Sequence, residues 1–220
     1  MSRGYFDLHK KRCVTRARAR IPASQEISHN VNVPPLEFHP LTPGRWKDFE
    51  TLFGERGACG GCWCMWPRVK RSEFQKQKGV GNKSTMKEIV RAGPPPGLLA
   101  YADGHPVGWC ALAPRETYSV LANSRIMRPV DDRPVWSVVC FFVAKPFRRR
   151  GVTAKLLDAA VQYARKQGAR VLEGYPVEPK TRQQLPDVFV WTGLAAAFRR
   201  SGFREALRRS PTRPIMRRYL

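Results

Sequence analysis

The sequence predicts a mixed α/β fold, a central mixed sheet with helices on both faces. Three observations carry this. Val135 to Val143 is apolar at eight of nine positions, Ser137 being the exception, as a strand buried on both faces requires. Gly151 to Gln167 carries an apolar stripe of Val152, Leu156, Leu157, Ala160, Val161 and Ala164 at helical spacing. Arg170 to Val177 then returns as a strand, completing a strand–turn–helix–strand unit, that is, a parallel pair with a right-handed crossover.

The remaining elements follow in chain order. Residues 1 to 33 lack apolar periodicity, are rich in arginine and end at Pro34-Pro35, so they read as a basic, disordered leader with some transit-peptide flavour. The folded domain is then expected over 34–220. Leu36 to Leu41 reads as an edge strand. Thr42-Pro43 suits a helix start, because proline at the first helical position loses no hydrogen bond. Trp46, Phe49, Leu52 and Phe53 follow at helical spacing, and Gly57 ends the run. Ser72 and Gln75 suggest a capping box for a short polar helix. Ser84 to Ala92 predicts another helix with Met86, Ile89 and Val90 as its apolar face, closed by Gly93-Pro94-Pro95-Pro96-Gly97. Leu98 to Ala102 and Val107 to Leu112, joined by Asp103-Gly104, form a hairpin signal. Pro114 to Arg133 is polar and irregular. Gly168 suits a left-handed helix cap. Val190 to Ser201 reads as a late helix, followed by strands over Phe203 to Leu207 and Ile215 to Tyr219.

Composition narrows the function classes. The 220-residue chain carries 40 Lys and Arg against 17 Asp and Glu, a formal charge of +23, which concentrates anions of any kind near its surface. Nucleic-acid binders interleave such charge with exposed aromatics or a reading helix. Neither pattern is present, so no specific nucleic-acid partner is expected. No window approaches the eighteen or so apolar residues of a membrane span. Six cysteines without an export signal point to free thiols in a reducing compartment, hence to a cytoplasmic protein.

Between the apolar strand and the amphipathic helix lies Arg148-Arg149-Arg150-Gly151-Val152-Thr153. A diphosphate needs converging N–H donors, and a helix start supplies them at the positive end of its dipole. Gly151 permits close backbone approach, the amides of Arg149 to Ala154 are helix-start donors, and the arginines add formal charge. The segment is neither a P-loop nor a dinucleotide fingerprint, since the second glycine is missing.

Phe141-Phe142-Val143, four residues, then Arg148-x-x-Gly151-x-Thr153 resembles motif A of the GCN5-related N-acetyltransferase (GNAT) superfamily, written Gln/Arg-x-x-Gly-x-Gly/Ala. Phe198-Arg199-Arg200-Ser201-Gly202-Phe203 is similar to that family's late helix ending in Gly-Phe, and the element order from Leu36 to Tyr219 is similar throughout. The resemblance implies a splayed sheet of six or seven strands over 34–220, acetyl-CoA as acyl donor, and a small-molecule primary amine as acceptor. A homodimer stays open. Acetyl-CoA would be held by the backbone of Phe141, Phe142 and Val143 and by Arg148, Arg149, Arg150, Gly151, Val152, Thr153 and Ala154. Thr153 stands where the family has a small residue. Phe198 stands where many members have the tyrosine that protonates the departing thiolate, and Trp191 replaces a frequent asparagine. The base and acid are therefore unassigned. Glu173, Asp132, Asp131 and Glu178 are the carboxylate candidates, and Tyr175 is the candidate acid. Without turnover the same features describe a coenzyme-binding sensor, and the charge and cysteines leave a basic nucleic-acid- or metal-binding protein as a third reading.

Cys59-Gly60-Gly61-Cys62-Trp63-Cys64-Met65-Trp66 resembles a stretch shared by uncharacterised bacterial members of the superfamily. Cys-x-x-Cys suits zinc only with further ligands, and His39 and His105 are distant in sequence, so no metal site is expected. The strand-then-helix setting of a redox pair is missing as well. An aromatic wall of the acceptor entrance and a hydrophobic plug under the first helix remain equal readings.

Overall fold

The computed structural model describes residues 34–180, 185–186 and 189–220. The expected leader over 1–33 lies outside the described residues. Seven strands form one mixed sheet: β1 (Leu36–Pro40), β2 (Gly97–Ala102), β3 (His105–Pro114), β4 (Trp136–Val143), β5 (Val171–Gly174), β6 (Arg204–Arg208) and β7 (Pro214–Tyr219), in the order β1-β2-β3-β4-β5-β7-β6. All neighbours are antiparallel except β4 and β5. That parallel pair is the one the crossover argument demands.

The helices segregate to two faces. On one, α1 (Trp46–Phe53), α2 (Arg71–Gln77) and α3 (Val80–Ala92) bury Phe49, Phe53, Phe74 and Met86 against Leu99, Trp109 and Val139. On the other, α5 (Val152–Lys166) and α6 (Ala195–Arg200) bury Leu156, Leu157, Ala160 and Phe198 against Ala100, Leu112 and Val138. The short α4 (Ser119–Ala122) follows β3. The buried set of α5 is the stripe read from the sequence, residue for residue.

Several boundaries differ from the sequence reading, each for a local reason. α1 ends at Gly54 (φ 64°) rather than Gly57. α2 begins at Arg71, which leaves Ser72 inside the helix and makes no side-chain cap. α3 starts a turn early, at Val80, and buries Asn82, whose Nδ2 donates to the Gly61 carbonyl (3.0 Å). The β2–β3 hairpin has Asp103 and Gly104 at φ 49° and 75°, the paired positive angles of a tight hairpin turn. β5 stops at Gly174, four residues in. The largest difference is the late helix: α6 spans only Ala195–Arg200, and the five residues before it form a loop whose backbone bonds elsewhere.

Candidate active site

The site follows from how β4 leaves the sheet. Against β3, Ala111 faces Cys140 while Leu112 faces Val138, so Val139 is an extra, bulged residue. Against β5, β4 pairs only at Trp136, Ser137 and Val138. Beyond them the parallel strands separate, and the far half of β4 keeps β3 alone as a strand neighbour. Its other edge takes unusual partners. The Phe141 N–H donates to the Trp191 carbonyl (2.7 Å), and Arg148 Nε donates to the Val143 carbonyl (2.9 Å). Backbone groups in a strand alternate sides, so the Val143 amide faces this same gap.

The loop before α6 forms the opposite wall. The Val177 N–H donates to Gly193 O (2.8 Å) and the Ala195 N–H to Val177 O (2.9 Å). These bonds, and the Trp191 carbonyl on Phe141, hold 190–194 out of the helix that its apolar residues suggested. Gly193 (φ 84°) closes the turn.

α5 starts at the mouth of the gap. Gly151 is left-handed (φ 79°) at its N-cap, and a Cβ built there would meet no atom within 4 Å. Arg149 is left-handed too (φ 61°), a conformation that costs a non-glycine residue about 1–2 kcal/mol and clusters at functional sites. The Ala154 N–H is taken by the Gly151 carbonyl (3.0 Å), which corrects the expectation that it is a spare donor. Val152 and Thr153 occupy the first two helical positions, whose amides have no acceptor within the helix. The guanidinium of Arg148 also sits 6.0 Å over the Phe142 ring. The residues therefore fit a diphosphate: helix-start amides, open space before a left-handed glycine, and fixed arginines.

These walls bound a cavity of about 1260 Å³. Nine of the ten residues expected to hold the coenzyme line it: Phe141, Phe142, Val143, Arg148, Arg149, Gly151, Val152, Thr153 and Ala154. Arg150 does not, and is exposed. Lys145, Arg199 and Arg200 also line it. The cysteine loop closes the other side and divides between the two roles read for it. Trp63, Cys64 and Met65 are buried; Trp63 stacks on Phe53 (5.7 Å), and Cys64 Sγ accepts from Trp109 Nε1 (2.7 Å). Ala58, Cys59, Gly60, Cys62 and Trp66 face the cavity, as does Cys64. Burial, then the neighbouring Cys64, pushes the Cys62 thiol up to about 11, so it is an uncharged thiol at neutral pH. Among the described residues no three His, Cys, Asp or Glu side chains converge to hold a metal.

The acid–base candidates are placed elsewhere. Glu173 is fully buried. It accepts from Arg115 Nη1 (3.1 Å), the Tyr175 hydroxyl (2.6 Å) and Arg217 Nε (2.7 Å). Ser137 Oγ lies 2.9 Å from the Tyr175 hydroxyl, and Arg217 grips Asp131 with two bonds (2.7 and 3.0 Å). Burial, then the charge of Glu173, raises the Tyr175 phenol well above its ordinary value, which makes it a poorer acid. Neither Glu173, Tyr175, Asp131 nor the exposed Asp132 lines the cavity. Glu178 does, but hydrogen bonds from Arg199 and Arg208 hold its carboxyl below the usual range. Phe198 is fully buried, packed so closely on Gly174 that a Cβ there would stand 2.1 Å from its Cε1.

The model of the acetyltransferase (GNAT) family matches residues 63–182, more than half of the chain. The chain belongs to the GNAT family. This GNAT protein is accordingly an acyltransferase, of a family that transfers acetyl groups to amines. Its fold resembles those of solved relatives. A Drosophila melanogaster polyamine N-acetyltransferase aligns at 12% identity and TM-score 0.50, over 84% of this chain and 100% of that one. An agmatine N-acetyltransferase aligns at 12% identity and TM-score 0.50, over 84% and 99%. A GCN5-related N-acetyltransferase from Kribbella flavida aligns at 14% identity and TM-score 0.44, over 79% of this chain but 34% of its own. At such identities the likeness concerns the fold. No curated protein sequence matches the chain.

The sequence reading missed the second half of the GNAT cavity. Lys78, Phe74 and the 190–197 segment carry no local motif. The one available signal was Gly193, which interrupts the apparent helix.

Proposed function

We propose that this GNAT protein is an acetyl-CoA-dependent N-acetyltransferase acting by direct attack on a small-molecule primary amine. The observation that carries the reading is a single cavity joining the N-terminus of α5 to the splayed edge of β4. Acetyl-CoA would supply the activated acyl group as a thioester. The amides of Val152 and Thr153, with Arg148 and Arg149, are suited to its diphosphate. The Val143 amide faces the gap and suits a pantetheine amide or the thioester carbonyl, an added-strand contact. Phe141 can offer its own amide only after the Trp191 carbonyl lets go.

The amine must arrive neutral. Its nitrogen bonds to the carbonyl carbon, the C–S bond breaks, and the electron pair leaves on sulfur as a thiolate. One proton leaves the nitrogen and one reaches the sulfur. With Phe198 buried and Glu178 held by two arginines, neither serves as acid or base, and the reading takes both protons to exchange with water in the open cleft. The reaction should then follow the acceptor's own ionisation: log kcat/KM rises with unit slope up to the amine's pKa and shifts when the amine is changed. A common break near pH 6–7 for every amine would contradict direct, base-free transfer. Thiol release from acetyl-CoA with a panel of amines tests the activity itself. Binding of acetyl-CoA with no thiol release for any amine would leave a sensor.

A further inference from the structure

We propose that the acceptor is a primary amine carrying both an aromatic ring and a carboxylate, of the aromatic amino-acid class, and not a polyamine. The inference rests on the transfer reading above and concerns the acceptor end of the same cavity. That end is walled by rings. Trp66 makes edge contacts with Phe74 (5.0 Å) and Trp191 (6.5 Å), and Phe53 lies 5.3 Å from Phe142. All five rings line the cavity, and Trp66 is 36% exposed. Such walls take a flat apolar body.

Charge sets the second requirement. Arg148 and Arg149 answer to the diphosphate, so the acceptor's charge is read against Lys78 and against Glu178, the one carboxylate among the described lining residues. Glu178 is itself held by Arg199 and Arg208. Aromatic walls also attract cations, but Lys78 opposes that here. Its Cε and Nζ lie 3.7 and 3.8 Å from where a Cβ on Gly60 would stand, so its ammonium sits against the cysteine loop. A second positive charge on the acceptor would meet Lys78, whereas a carboxylate would pair with it. Agmatine and polyamines carry that extra charge. The transfer balances as written above: C–N forms, C–S breaks, the nitrogen's proton leaves and the sulfur gains one, and no further reactant is needed.

The test measures kcat/KM by thiol release for L-phenylalanine, L-tryptophan, phenethylamine, agmatine and spermidine. The expected order places an aromatic amino acid first, with agmatine and spermidine at least about ten-fold lower. Trp66→Ala should raise KM for aromatic acceptors by about ten-fold or more with a smaller change in kcat. Lys78→Glu should reverse the preference for L-phenylalanine over phenethylamine. Both positions are exposed enough for the fold to persist, which the melting temperature checks. Faster turnover of agmatine or spermidine would overturn the inference while leaving the transfer reading intact. So would acetyl-CoA binding without turnover of either aromatic amino acid when another amine turns over. Absence of acetyl-CoA binding would instead remove the transfer reading, and this inference with it.

Discussion

Glu173 was a candidate base and Tyr175 the candidate acid, two residues apart around the end of β5, and only distant partners give them another role. Arg115 and Arg217 reach Glu173 from 58 and 44 residues away, so no local pattern announces them. With both oxygens hydrogen-bonded and no surface exposed, Glu173 acts on stability. Glu173→Ala removes the buried carboxylate shared by Arg115 and Arg217, and breaking a buried pair costs about 3–5 kcal/mol. Urea titration should show that loss, while calorimetry finds coenzyme affinity changed less than about three-fold, under 1 kcal/mol. Unchanged stability with collapsed turnover would restore Glu173 as a catalytic group. Gly151 is the opposite case, since the reason for glycine there is local: it reads as letting a ligand approach the backbone closely, and the structure gives it φ 79° with open space ahead.

At the scale of elements, legibility tracked how local the cause was. α5 was readable because its whole stripe packs on one sheet face. β4 was readable because a strand with sheet neighbours and helices on both sides is apolar throughout. The segment 190–194 was not. Val190, Trp191 and Leu194 have the spacing of a helix face, yet bonds to Phe141 and Val177 in other elements hold them in a loop. The cysteine stretch was half legible: its rings announced burial, but which side chains turn to the cavity is decided by packing against α1. The polar loop before β4 is tied to β7 by the Asp131–Arg217 pair, and the hydrogen bonds from Arg217 lower the Asp131 pKa. A carboxylate lowered in the folded state contributes stability that is complete above its unfolded value, about 4, and is lost as pH falls through the folded one. Asp131→Asn should therefore flatten the dependence of melting temperature on pH below about 4 and leave pH 7–8 behaviour parallel to wild type. An unchanged acid limb would mean the pair carries no linkage.

For the whole molecule, the order β1-β2-β3-β4-β5-β7-β6 leaves one splayed seam in the sheet, and the charge collects where that seam opens. The sheet with helices on two faces was legible from strand and helix periodicity. The splayed seam was expected only from the family resemblance, because a bulge at Val139 and a four-residue β5 leave no mark in hydropathy. Coenzyme bound across it would stabilise the fold by mass action, about 2.7 kcal/mol at a hundred-fold excess over Kd, or about 5–10 °C in melting temperature for a chain of this size. Raising salt should weaken binding, since lysines and arginines supply much of the attraction.

On the proposed function, the N-terminus of α5 grips a coenzyme diphosphate through Gly151. Calorimetric titration of acetyl-CoA into wild type and Gly151→Ala tests it most directly. The expected result is one site with Kd well below 1 mM, tighter than about −4 kcal/mol, and at least ten-fold weaker binding in the variant, which stays folded at a strain of about 1–2 kcal/mol. No heat with wild type, or equal affinity in the two proteins, would contradict it.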